Sequence, residues 1–183
     1  MRRWRAILSA SIGLGFGAHG RAMLFDAHCH LQRLPDATAP DTWVDRARAA
    51  RPLPVWGCAV CGCEVADWAQ VEELHRRFPD FVVPSFGIHP WWAAGADLAR
   101  LPEQLTAQLT TWHTAGVGEC GLDGAKKKDI PMELQLQVLR AQLQLAKDFQ
   151  RPVSLHCVAA HGLLLQALEE CFPTGHPPGL LSG

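Results

Sequence analysis

Two rhythms of apolar residues alternate along the chain. Short apolar runs that end in polar groups are separated by longer stretches whose apolar residues recur every three or four positions. The runs MLFDAH (23–28), PVWGCAV (54–60), FVVPSFGI (81–88), AGVGECGL (115–122) and RPVSLHC (151–157) read as strands, and GLL (179–181) as the onset of a sixth. Segments 41–50, 64–78, 98–112, 132–149 and 161–172 read as helices. In the second of these, Val65, Trp68, Val71, Leu74 and Phe78 fall at helical spacing. In the fourth, Leu134, Leu136, Val138, Leu139, Leu143, Leu145 and Ala146 make a broad apolar stripe behind Pro131. Strand followed by helix, repeated five times, dictates parallel strands joined by right-handed crossovers. An open doubly wound sheet and a barrel both satisfy that rule. No G-x-G-x-x-G follows the first strand, whereas polar residues gather at the carboxyl ends of several strands, where barrel active sites are built. The expected fold is α/β, a TIM-type (β/α) barrel left incomplete, with about five strand–helix units and the start of a sixth strand.

Composition supports a folded domain. The chain has 183 residues, 48% of them hydrophobic and 19% charged, so it has the means to build a core. A formal net charge of −1 gives no broad basic footprint, so any substrate phosphate must be held by local chemistry. No uncharged apolar run is long enough to span a membrane. Charge is uneven, however. Residues 1–22 hold Arg2, Arg3, Arg5 and Arg21, no acid, and an apolar, small-residue run over 6–18. They read as a leader or a targeting extension outside the fold, with the domain proper at 23–183. The cysteines oppose the secretory option: seven is odd, and most lie in strand-like runs, as reduced buried thiols do. The expected location is cytoplasmic, or mitochondrial or plastid if 1–22 is a transit peptide. Cys58, Cys61 and Cys63 lack the matching second pair of a structural zinc site and read as buried thiols; a thiol-redox or zinc-structural role for them is the weakest reading.

The strand ends carry the chemistry. His28 and His30 are two residues apart, so an extended strand points both rings to one face, within reach of one metal ion. Asp26 lies on the same face, placed to orient a ligand histidine. Alone, an H-x-H pair is a weak signal. The third run, however, ends in GIHPWW with His89, the fourth in VGECGLD with Glu119, and the fifth in VSLHC with His156. In a barrel these ends converge at one mouth. Imidazoles and one carboxylate suit divalent ions, and Glu119 is the candidate bridge between two of them. Two metals about 3.5–4 Å apart clamp a phosphodiester and activate a water. Gly116, Gly118 and Gly121 leave room for close approach beside it.

Taken in order, FDAHCHL, SFGIHPWW, VGECGLD and RPVSLHC resemble the TatD family of metal-dependent deoxyribonucleases, among the amidohydrolase-like barrels, over about residues 23–181. The resemblance implies a hydrolase with two divalent ions (Mg, Mn or Zn) that cleaves phosphodiesters of DNA in 3′–5′ exonuclease fashion. It implies that His28 and His30 bind the first metal, that Glu119 bridges and is the catalytic carboxylate, and that His156 binds the second. His89 would stand near the substrate phosphate, and Asp123 would be a support residue. Two departures bear on this. Val158 stands where many members carry an arginine, which leaves Lys126, Lys127 and Lys128 either as a solvated loop or as substitute phosphate contacts. The family also continues with a further metal-binding histidine and a later aspartate, and a TIM-type barrel takes about 250 residues. The chain is therefore expected to be C-terminally truncated, weak or inactive as a nuclease, and prone to self-association or partner binding through exposed barrel edges. The alternatives are a non-catalytic fragment that binds or regulates a full-length relative, and a small-molecule amidohydrolase or phosphoesterase.

Overall fold

A computed structural model describes residues 15–16, 22–35, 39–173, 175, 177–178 and 181–182. Most of segment 1–22, and Gly179 and Leu180 of the expected sixth strand, lie outside the described residues. The described elements are, in order, β1 (Gly15–Phe16), β2 (Ala22–Cys29), α1 (Ala39–Ala49), β3 (Val55–Cys61), α2 (Val65–Arg77), β4 (Val82–Phe86), α3 (Leu101–Thr111), β5 (Gly116–Asp123), α4 (Met132–Asp148), β6 (Val153–Val158), α5 (His161–Cys171) and β7 (Leu181–Ser182). Short 3-10 turns at Leu31–Arg33, Pro90–Gly95 and Gly124–Lys126 follow β2, β4 and β5. β1 pairs antiparallel with the start of β2, so the dipeptide Gly15–Phe16, placed in the leader by the sequence pattern, is strand.

From β2 to β7 every pairing is parallel and each strand lies beside the next in sequence. A doubly wound sheet reverses its strand order part-way; this one never does, which leaves the barrel-type alternative. The sheet is also curled. Ser154 Oγ on β6 lies 2.7 Å from His28 Nδ1 on β2, although three strands separate them. Flat spacing of about 4.8 Å per strand would hold them roughly 19 Å apart. The architecture is α/β, an arc of parallel strands folded into a partial barrel.

The helices cover the outer face. Val71 and Leu74 of α2, Leu105 and Leu109 of α3, Leu139 and Leu143 of α4, and Leu164 and Ala167 of α5 join one core with Val60, Phe86, Val117 and Val153 of the strands. On β3 the strand alternation sends Cys58 and Val60 to this core and Ala59 to a small second cluster with Phe25. Cys61 shares the face of Ala59 and meets His28, so the inner face leads to the strand ends where the polar residues gather. β5 is buried along its whole length, as a strand enclosed by neighbours on both edges must be. Gly118 (φ +129°) and Gly121 (φ +149°) let it run close to β6. A Cβ at either position would overlap the carbonyl oxygen of Ser154 or His156.

Two buried glutamines fasten α4 to the strand ends. Gln142 Oε1 accepts from the Ile88 amide (2.7 Å), and its Nε2 donates to the Ile88 carbonyl (3.2 Å). Gln135 Oε1 accepts from the Asp123 amide (2.7 Å), and its Nε2 donates to the carbonyls of Asp123 and Ile130. The segment after β4, which carries His89, and the end of β5 at Asp123 are thereby held by hydrogen bonds to α4.

Candidate metal centre

The curled sheet brings His28, His30, His89, Glu119 and His156 together at the carboxyl ends of β2, β4, β5 and β6. Glu119, only 6% exposed, is the hub. Its Oε2 lies 3.2 Å from His28 Nε2 and 3.2 Å from His30 Nε2. Its Oε1 lies 3.3 Å from His156 Nδ1 and 3.7 Å from His89 Nε2. Two donor groups of metal-binding size result, His28–His30–Glu119 and His89–Glu119–His156, and they share the carboxylate.

The outer hydrogen bonds fix how the rings face inward. His30 Nδ1 sits 2.7 Å from the Cys61 carbonyl oxygen, which only accepts, so Nδ1 carries the proton. The lone pair of His30 Nε2 then points at Glu119. His156 Nε2 donates to Asp123 Oδ2 at 3.1 Å, so His156 Nδ1 likewise turns a lone pair on the same carboxylate. His28 Nδ1 meets the Ser154 hydroxyl, and its Nε2 is 3.1 Å from His30 Nε2. On each Glu119 oxygen one acceptor nitrogen is thus fixed, His30 Nε2 on Oε2 and His156 Nδ1 on Oε1. Acceptor facing acceptor is unfavourable unless a cation lies between. The donors are imidazole nitrogen and carboxylate oxygen, the set that zinc, manganese and similar divalent ions take. Histidines held by a carboxylate or carbonyl on the far ring nitrogen are the usual form of metal-binding histidines. The residues present therefore fit a divalent cation on each side of Glu119.

The proton equilibria express the same demand. Burial opposes the charge on His28, yet hydrogen bonds to the Cys61 thiol and to Glu119 overcome it and push its pKa up to about 10. His30 is pushed up to about 10 by the Cys63 thiol and Glu119. His156 is raised, chiefly by Glu119. Glu119 is held well below the usual carboxylate range: burial pushes it up, but the three rings outweigh that. Without a metal, protons gather where the cations would.

His89 differs. Burial is the main force that lowers its pKa, to about 4, so the ring is neutral. Its Nδ1 accepts from the Trp91 amide at 3.1 Å, which leaves the proton on Nε2, aimed into the cluster. His89 therefore presents a donor rather than a lone pair.

The strand pattern leaves several partners unread. Asp26, expected to orient a histidine ring, instead accepts from the His28 main-chain amide (3.2 Å); the ring is held by Ser154. A register shift between Asp26 and Cys29 on β2 breaks the simple alternation. Ser154 was detectable, because it lies two residues before His156 on the same strand. The Cys61 carbonyl was not, because a main-chain acceptor has no side-chain signal. Cys58, Cys61 and Cys63 are buried free thiols. Of the three loop lysines, Lys126 reaches the rim, with its ammonium 5.3 Å from the Trp91 ring centroid; Lys127 and Lys128 are exposed. Among the described residues, no helix is long and apolar enough to cross a membrane.

Comparison with known proteins gives consistent matches. A family model described as TatD related DNase matches residues 25–180. The 3′-5′ ssDNA/RNA exonuclease TatD of Erwinia tasmaniensis is 32% identical over 156 residues, which cover 82% of this chain and 56% of that protein. Cut9-interacting protein scn1 of Schizosaccharomyces pombe is 26% identical over 205 residues, covering 80% of this chain and 58% of that one. Among solved structures, the TatD homolog YJJV from Escherichia coli superposes with a TM-score of 0.70 at 28% identity, over 80% of this chain and 55% of that chain. A TatD family hydrolase from Entamoeba histolytica, at 18% identity and a TM-score of 0.69, shares the fold. The chain spans little more than half the length of the curated relatives it matches.

Proposed function

This chain belongs to the TatD-related DNase family, and we propose that it is a two-metal phosphodiesterase that shortens DNA in 3′–5′ exonuclease fashion. His28 and His30 would hold one divalent ion and His156 the other, with Glu119 common to both groups. One observation carries this reading: a buried carboxylate whose two oxygens are each faced by imidazole nitrogens, with the far nitrogens of His30 and His156 tied to acceptors. When bound, the ions (Mg, Mn or Zn) supply Lewis acidity and a water acidic enough to attack at neutral pH.

The chain's own residues do the rest. Asp123 holds His156 in the tautomer that frees Nδ1. Burial pushes the Asp123 carboxyl up, but the Trp91 indole, His156 and the Ala125 amide outweigh it, so the group stays ionised. His89, neutral and with its Nε2–H directed inward, donates to a non-bridging phosphate oxygen and steadies the charge that grows there. Glu119, near the floor of the mouth and beside Gly118, leaves the space in front of it to the phosphodiester.

The test reads metal content first. Expected is about two divalent ions per chain by elemental analysis, falling sharply in Glu119→Gln and His30→Ala. Release of 3′-terminal nucleotides from single-stranded DNA on addition of Mg or Mn, absent from Glu119→Gln, supports the activity. Unchanged metal content in both variants rejects the assignment, and faster turnover of small phosphoesters or amides than of DNA rejects the substrate.

A further inference from the structure

The rim of the centre holds an exposed aromatic face that the metal chemistry does not use. Trp91 follows His89 and Pro90 in the turn after β4, and its side of the mouth is open: the residue is 49% exposed. It is nonetheless held firmly. Its indole N–H donates to Asp123 Oδ2 at 2.6 Å, the same oxygen that takes His156 Nε2. Its ring centroid lies 5.2 Å from His89 and 6.4 Å from His156. An indole fixed at one edge and bare on its surface keeps a large apolar plate in water without contributing to the core. Cations flank it. The Lys126 ammonium lies over the ring, and the neighbouring Trp92, tilted 31° at 6.1 Å, carries the Arg33 guanidinium 4.5 Å from its centroid. Both indoles line an open groove of about 540 Å³ together with Ile88 and Gln104.

A tethered aromatic plate, a lysine ammonium beside it and a phosphodiester-cleaving centre next door are the parts from which single-strand sites are built. Every base has a face to stack, and the backbone phosphate meets the cation. We propose that Trp91 is the stacking platform for an unpaired base next to the scissile phosphate, and that Lys126 receives the adjoining backbone phosphate. The inference rests on the phosphodiesterase reading above. It supplies a reason for single-strand preference, because a paired base has no free face to offer. It also places a cation at the mouth, where Val158 offers none.

Binding tests it directly. The full chain is titrated, in calcium in place of magnesium, with a 5′-fluorescein single-stranded DNA oligomer and with the same oligomer made abasic at its 3′ end. Trp91→Ala is expected to weaken the first about tenfold more than the second, so that the two oligomers come to bind alike. Trp91→Phe, which keeps a ring but not the indole N–H, is expected to retain most of the difference. Lys126→Ala is expected to weaken both and to reduce the salt slope by about one. Wild-type-like discrimination by Trp91→Ala overturns the platform. So does equal loss in Trp91→Ala and Trp91→Phe, which would make the indole a support for Asp123 only. If wild type binds neither oligomer, the phosphodiesterase reading itself falls, and the platform with it.

Discussion

Glu119 shows how much of this centre depends on individual atoms. Its two oxygens separate the four imidazoles into two pairs, and the outer partners of His30 and His156 decide which ring nitrogen is free. The pKa values of His28 and His30, pushed up to about 10, give a pH dependence with a definite sign. The metal-free chain holds protons on both rings up to that pH, and a metal must displace them. Metal affinity is therefore expected to rise with pH between about 7 and 9, with one to two protons released per chain. Calorimetry in buffers of different ionisation enthalpy measures the release; an affinity flat over that range would show that the rings do not bind metal. In the same metal-free chain these raised values stabilise the fold below about 6.5, and the contribution is lost as pH climbs toward 10. At this scale the sequence was most readable where side chains with distinct chemistry interrupt apolar strands, as His28, Glu119 and His156 do, although β5 and β6 run on past Glu119 and His156. It was least readable where a partner is main chain, as at Cys61, or where a bulge breaks alternation, as after Asp26.

At the scale of elements, α4 departs most from its pattern. Its leucines announce an amphipathic helix, and the helix runs close to the expected length. Leu134 and Leu145, counted in the apolar stripe, are only partly buried, whereas Gln135 and Gln142, seven residues apart, are almost wholly inside (1% and 0% exposed). Apolar periodicity ignores glutamine by construction, so clamps on Ile88 and Asp123 leave no mark in it. Gln142→Leu is expected to cost about 2 kcal/mol or more, because it strands a buried amide and a buried carbonyl that the helix now satisfies. Urea unfolding measures it, and a variant as stable as wild type would mean that the clamp contributes nothing. The 3-10 turns behind β2, β4 and β5 were also unread, since turns of three to six residues are too short to show a period. They matter because they place Trp91 and Lys126 at the rim.

For the whole molecule, strand–helix alternation was enough to announce parallel strands, and the polar strand ends chose barrel topology over the doubly wound sheet. Curvature was not legible, because it resides in contacts such as His28 with Ser154, 126 residues apart in the chain. The proposed ligands lie on or just after β2, β5 and β6, so a cation bound there would tie distant parts of the arc. Removal of metal with a chelator is expected to lower the melting temperature by roughly 5–10 °C relative to chain held at 100-fold excess over its dissociation constant. Scanning calorimetry with and without added Mn or Zn reads the shift, and identical curves would remove the cation from the fold's energetics.

The chord between β2 and β6 also sets an order of events at the ribosome. The first imidazoles leave the exit tunnel early, but Ser154 and His156 follow only after three more strands and four helices. Throughout that interval the nascent amino-terminal half carries His28 and His30 without their counterpart, so the full set of donors assembles late, in a chain that has already curled.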